Sequence, residues 1–383
     1  MAEAASSPPV TVHEPELCSA GYTLFCHTCD PPPPGGRARI LLVDMEGGVV
    51  HEWRPPTSAQ LPELLPDGTL LYSTRDRSHI EGAGLRRLAP DGTVLRHYHC
   101  RADHDFHVMD GGRLVVHCIA DKMVPRLGPG LRRCPYIVEV EADGRLLWEW
   151  RGEEHVDELQ ELLGRPIPPD WLGRARGELG LVNLDGVFTD SQEEAPVRSR
   201  AQHYAFDWAH NNNCEVMPPN RAGRSDPRFA AGNILFSYRT LDTIGIIERS
   251  TGRIVWAWGP GELDGQHKPT MLPDGHILIF DNGTRRGWSR VVELDPLAGS
   301  IAWEWHGEAR GDLYSPYISG ADRLPSGNVL ICEGGPGRLL EVTREGRLVW
   351  EFRSPFAEPE TFGIYRAVRY SAEQVEPLLR AAS

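Results

Sequence analysis

Asp143-Gly144-Arg145-Leu146-Leu147-Trp148-Glu149-Trp150 decides the fold. A Gly-plus-acid turn runs into an apolar pair and then into an aromatic-x-aromatic strand end. The phrase returns at His51-Glu52-Trp53, His97-Tyr98-His99, Trp256-Ala257-Trp258, Trp303-Glu304-Trp305 and Trp350-Glu351-Phe352. Most copies follow a turn such as Glu46-Gly47, Asp91-Gly92, Thr251-Gly252 or Glu345-Gly346. A repeat of roughly 45 residues has the length of one four-stranded propeller blade. Residues that recur are scaffold, and residues that interrupt the pattern are where chemistry can sit.

A second phrase fills the other half of each unit: a tight turn and then an apolar strand. Its copies are Leu65-Pro66-Asp67-Gly68 before Thr69–Tyr72, Asp110-Gly111-Gly112 before Arg113–Val116, and Gly232-Asn233 before Ile234–Phe236. Leu272-Pro273-Asp274-Gly275 before His276–Ile279 and Leu324-Pro325-Ser326-Gly327 before Asn328–Ile331 complete the set. Pro presets φ and Gly permits positive φ, which is the chemistry of tight turns. Five units therefore run from about residue 57 to 354. The sixth must combine Arg39–Asp44 and Val49–Arg54 with Gly363–Tyr370, a closure that removes free sheet edges. The expected fold is all-β, a single six-bladed β-propeller domain over residues 1–383, closed by N- and C-terminal strands.

Other segments frame that core. Residues 1–20 read as a flexible N-terminus, and Ser371-Ala372-Glu373-Gln374 reads as the capped start of a C-terminal helix over 371–383. Between Trp150 and Trp258 lie about two periods of chain but one clear unit. Residues 152–202 therefore read as an insertion or lid, with a helical piece carrying Val156, Leu159, Leu162 and Leu163 on one face. A smaller detour spans Pro219–Ala231.

The chain has 383 residues, with 40 Gly, 32 Pro, 11 Trp and a formal net charge of −14. Abundant turn residues between short apolar runs agree with many short strands. The acidic balance, without a basic block, argues against nucleic acid and anionic membranes as partners. Met1–Val10 lacks a basic n-region and an apolar h-region, so no secretory signal and a cytoplasmic location are expected. No apolar run approaches membrane-spanning length. Eight cysteines are scattered, and Cys26-His27-Thr28-Cys29 lacks a second ligand pair at zinc spacing, so it reads as two thiols on a strand. The sequence is silent on oligomeric state.

In a propeller, residues just before each inner turn face the central channel. Here they include His104-Asp105-Phe106-His107, His210-Asn211-Asn212-Asn213 and Gln266-His267. His104 stands six residues before Asp110, His267 six before Pro273, and His210 a similar distance before Met217-Pro218. Three histidines at one repeat phase point to one site rather than three structural rings. Arg239, ending the strand Ile234–Tyr238, adds a planar fork of donors suited to a tetrahedral oxyanion.

At these residues the chain resembles the bacterial aryl-sulfate sulfotransferases and their wider arylsulfotransferase-like relatives. The resemblance lies in Asp207-Trp208-Ala209-His210-Asn211-Asn212, Ser237-Tyr238-Arg239, Gln266-His267, and Phe280-Asp281-Asn282-Gly283 with Ser289-Arg290. A weaker likeness continues at Tyr365-Arg366-Ala367-Val368-Arg369-Tyr370, so that roughly residues 37–370 are covered. It implies a six-bladed propeller whose axial histidine takes a sulfuryl group from an aryl sulfate and passes it to a phenolic or other hydroxyl acceptor. His267 would be the nucleophile, with His210, Asn212, Arg239 and His104 completing the catalytic set. His107, Gln266 and Tyr238 would line the substrate. The family's well-studied members are exported, whereas no export signal is expected here.

No cofactor is expected for that reaction. One rival is a metalloenzyme holding copper, iron or zinc on His104, His107, His210 and His267, with Asp105 or Asp207 fixing tautomers. Another is a non-catalytic propeller that binds a ligand on its face.

Overall fold

The computed structural model describes residues 8–29, 38–74, 82–167, 170–178, 191–357 and 361–382. The chain is a six-bladed β-propeller of antiparallel sheets. Three sheets belong to a unit formed by residues 1–100 and 317–383, and three to a unit formed by residues 101–316.

In the second unit the sheets run Ala102–Val108, Leu114–Met123, Leu131–Val140, Leu146–Arg151; then Asn211–Val216, Ile234–Tyr238, Thr243–Ile247, Ile254–Trp258; then His267–Met271, Ile277–Asp281, Arg290–Asp295, Ser300–Trp305. The second strands Ile234–Tyr238 and Ile277–Asp281 are buried along their whole length, which explains their unbroken apolar runs. The turn before Ile277 needs its glycine twice over. Gly275 has φ +92°, and a Cβ there would lie 2.6 Å from the backbone nitrogen of Ala222.

In the first unit one sheet orders Thr361–Tyr370, Tyr22–Cys29, Ile40–Val43 and Val49–Trp53, so both ends of the chain share a sheet as the repeat requires. The strand Tyr22–Cys29 supplies the member that the sequence reading left out. A second sheet, Gly320–Arg323 to Leu348–Arg353, gains Val10–His13 as a fifth strand, with Val12 opposite Glu351. The N-terminus expected to be flexible is thus in a sheet from Val10 onward, and residues 1–7 lie outside the described residues. The third sheet runs from Gln60–Leu64 to Val94–His99.

The aromatic phrase closes the fourth strand of each blade, and its tryptophans hook neighbouring turns. The indole Nε1 of Trp53 donates to the Ala89 carbonyl at 3.1 Å and that of Trp350 to Met45 at 2.9 Å, both within the first unit. Trp150 donates to Gly252 at 2.7 Å within the second. A buried indole needs such a partner, and the turn carbonyl supplies it.

The insertion carries three helices: α1 (Val156–Leu163), α2 (Trp171–Glu178) and α3 (Ser191–Phe206). Val156 and Leu159 are buried, whereas Leu162 is exposed, because position 162 lies off the face that positions 156, 159 and 163 share. Residues 168–169 and 179–190 of the expected lid lie outside the described residues. At the C-terminus α4 (Ala372–Ala382) begins with the expected capping box: the Ser371 amide donates to Gln374 Oε1 at 2.8 Å, and the Gln374 amide donates to Ser371 Oγ at 3.3 Å.

Candidate functional site

The candidate residues all lie in the unit of residues 101–316, and bulged starts of first strands set their places. In the strand Ala102–Val108, a register shift separates Ala102, opposite Cys118, from Phe106, opposite Val116. His104 sits in that shift with φ +63°, a conformation costly for a residue with a Cβ. His210 (φ +46°) and Lys268 (φ +47°) mark comparable irregularities in the next two sheets. Strained backbone at three strand starts is the kind of feature that accumulates at functional sites.

The repeat phase differs in detail from the sequence reading. Inner turns are closed by the amides of Met109, Met217 and Leu272, which donate to Arg113, Asn233 and His276. His104 and His267 stand five residues ahead of their turns. In the middle sheet that place belongs to Asn212, and His210 lies two residues further out. The same two backbone stretches fix both His210 and Arg239. The Arg239 amide donates to the His210 carbonyl at 3.2 Å, and the Thr240 amide donates to that of Ala209 at 3.1 Å.

Each histidine of the cluster has its Nδ1 side held. His267 Nδ1 lies 2.7 Å from Asn282 Oδ1, while Asn282 Nδ2 donates to the Ser315 carbonyl at 2.7 Å. That second bond settles which end of the amide faces the ring: the oxygen does, so Nδ1 carries the proton and Nε2 keeps the lone pair. His210 Nδ1 lies 2.8 Å from Asp207 Oδ2, and His104 Nδ1 lies 2.6 Å from Asp103 Oδ2. The His104 and His210 rings meet edge to face with centroids 4.6 Å apart. Behind them the buried His117 places its Nδ1 against the Asp103 carbonyl.

The electrostatics separate these rings. Burial drives His267 well below the ordinary imidazole range; the Arg239 guanidinium pushes it the same way, as do His210 and His104 more weakly. The Asn282 hydrogen bond opposes the shift without reversing it. His267 is therefore neutral across the physiological range. Asp207 behaves oppositely. Burial alone would raise it, but the charge and hydrogen bond of His210 bring it down to about 2, so it is a carboxylate.

The remaining candidates are placed as follows. Asn212 is buried, and its Nδ2 donates at 2.9 Å to the carbonyl of Gln266, the residue before His267. The Arg239 guanidinium reaches the Pro316 carbonyl at 3.3 Å and acts electrostatically on His267. Two expectations change, and the place of His107 is fixed. Tyr238 does not line the site: it shares a face with Phe236 and packs on Trp208 in the core, because alternation along the strand turns it there. Gln266 is wholly buried, and its Nε2 donates to Ser237 Oγ and the Thr243 carbonyl, both at 3.0 Å, so it fastens two sheets rather than meeting substrate. His107 stands opposite Val115, and the charged group that acts on it is Asp105, whose carboxylate accepts the Cys214 amide at 2.7 Å.

Of the four histidines considered as a metal set, His210 alone belongs to a group of described residues with ligand atoms clustered together. Its companions there are Asp207 and His203, a residue of α3 that the sequence reading passed over. The insertion is tied to this region. Arg174 of α2 donates to Asp242 at 3.0 Å and to the Arg239 carbonyl at 3.4 Å, and Arg165 donates to the Leu241 carbonyl at 2.7 Å.

The arrangement supplies a neutral buried nucleophile, two carboxylate-held imidazoles that can carry protons, and a guanidinium for negative charge. The family model described as arylsulfotransferase (ASST) matches residues 75–355. No curated protein matches the sequence significantly. Among solved structures, a protein of unknown function from Bacteroides caccae is 13% identical with a TM-score of 0.52, covering 92% of this chain and 100% of that one. The β-propeller domain of Cps50 (Swd1) from Myceliophteria thermophila is 12% identical with a TM-score of 0.44, covering 91% and 90%. A catalytically inactive virginiamycin B lyase from Staphylococcus aureus with quinupristin is 9% identical with a TM-score of 0.43, covering 91% and 88%. At such identities the likeness concerns the fold alone.

Proposed function

The chain belongs to the arylsulfotransferase (ASST) family, and from that premise we propose that it transfers a sulfuryl group from an aryl sulfate to a hydroxyl acceptor through a sulfo-histidine at His267. The observation that carries this reading is the His267–Asn282 pair. An amide carbonyl holds the Nδ1 proton and burial and Arg239 keep the ring neutral, so the unprotonated Nε2 is the nucleophilic atom of the ring.

In the first half-reaction Nε2 bonds to sulfur as the bond from sulfur to the aryl oxygen breaks, and the aryl oxygen leaves with the electron pair. His210, set by Asp207, donates a proton to that oxygen. Arg239 stabilises charge on the transferring oxygens. In the second half-reaction His210 takes the proton of the acceptor hydroxyl, whose oxygen attacks sulfur and returns His267 to its neutral state. His104, held by Asp103 and in ring contact with His210, adds positive charge to the same cluster when protonated.

The test is a donor assay with nitrophenyl sulfate and a phenol, run without nucleotide. Acceptor-dependent release of nitrophenol, with a trapped sulfo-adduct on His267, is expected. Full activity in His267→Ala with no adduct on the native chain overturns the reading.

A further inference from the structure

We infer that His203, Asp207 and His210 form a binding site for a divalent transition-metal cation, with zinc the best match, and that its occupation takes His210 out of use. One ligand atom from each residue lies within 4.8 Å of the others. The spacing explains the convergence. Asp207 continues the helical turn that ends α3, its amide donating to the His203 carbonyl at 2.8 Å, so residues 203 and 207 stand one above the other. The chain then folds back so that His210 meets the Asp207 carboxylate at 2.8 Å.

Two imidazoles and a carboxylate suit zinc, copper or nickel, whereas magnesium and calcium prefer oxygen alone. Ligand atoms about 2.0–2.2 Å from zinc lie closer together than the present spread. The gap closes by swinging His203, which is exposed on α3 and open to solvent. Asp207 is buried and fixed, and the Thr240 hydroxyl donates to its carbonyl at 3.2 Å. The site thus combines a buried carboxylate, a ring of the reaction centre, and a solvent-exposed third ligand.

Occupation costs His210 its proton chemistry whichever ring nitrogen binds. Ligation through Nδ1 replaces the bond to Asp207, and the displaced proton passes to solvent. Ligation through Nε2 occupies the nitrogen that would exchange protons with substrate. His203 itself has no part in the transfer, so the site would act as an inhibitory switch.

The experiment titrates zinc by calorimetry into the chelator-treated full chain, the His203→Ala variant and, as a histidine outside the cluster, His107→Ala. One equivalent of zinc on the native chain, at least roughly tenfold weaker binding in His203→Ala, and unchanged binding in His107→Ala are expected. Equal binding by His203→Ala and the native chain, or no stoichiometric zinc on the native chain, overturns the site. The inhibitory consequence rests on the proposed transfer reaction and is read separately. Zinc should suppress nitrophenyl sulfate turnover by the native chain, while His203→Ala keeps its basal turnover and resists. Equal inhibition of both overturns that consequence. Zinc binding that depends on His203 in a protein inactive with aryl sulfates leaves the site standing and removes the reaction instead.

Discussion

His210 and His267 are rings of one cluster held in opposite ways. His210 follows the last helix of the insertion and gives its Nδ1 proton to a carboxylate, Asp207. His267 opens an inner strand of the scaffold and gives its Nδ1 proton to an amide, Asn282. A carboxylate stabilises an imidazolium and an amide does so far less, so the first ring suits proton transfer and the second suits attack as a neutral base. The protein sorts two chemically equal side chains by what stands behind them.

Removing the nucleophile should have the largest effect. His267→Ala is expected to lower kcat with nitrophenyl sulfate roughly ten-thousandfold, with a native circular dichroism spectrum at 25 °C. Making the two rings alike comes next. Asn282→Asp puts a carboxylate behind His267, which favours the imidazolium. The acid limb of the pH–rate profile should then move to higher pH, and activity at neutral pH should fall roughly ten- to hundredfold. An unmoved limb would show that the amide does not set the nucleophile's state.

Asp207→Asn attacks the other side of the contrast and should lower kcat by about a hundredfold. It also removes a pH-linked contribution to stability. Asp207 titrates at about 2 in the fold against 3.8 as its ordinary value. The contribution is therefore fully present above about pH 4 and disappears as pH falls toward 2. It amounts to about 2 kcal/mol, and acid unfolding of the variant should start from that lower stability. The smallest change tests the scaffold alone. Trp150→Phe deletes the indole bond to Gly252 and should cost about 1 kcal/mol in a urea titration, leaving kcat unaltered.

The blade phrases were legible because each repeats one physical solution, a tight turn feeding a strand whose last tryptophan finds a carbonyl. The paired chain ends followed from counting. The helix α3 was not legible, since its sequence carries Pro196 and no continuous apolar stripe; Ala201 and Tyr204 are buried against Ala175 of α2 instead. The site was legible as a set of histidines but not as a set of pairs. Whether Asp103 or Asp105 backs His104 depends on a register shift of the bulged strand, and nothing in the sequence marks that shift. Tyr238 was misplaced for a related reason: it falls on the strand face it shares with Phe236, which enters the core, whereas Arg239 begins the helical turn that follows the strand.

The sheet shared by Tyr22–Cys29 and Thr361–Tyr370 has a consequence for synthesis. A ribosome releases its first strand more than three hundred residues before its last. Throughout that interval the edge of Tyr22–Cys29 that Thr361–Tyr370 will pair stays open, with Leu24 and Phe25 beside it, and such an edge invites pairing with other chains. Translation slowed near the 3′ end of the message, or a stop codon ahead of residue 361, would prolong that exposure even though every residue of the histidine cluster had already been made.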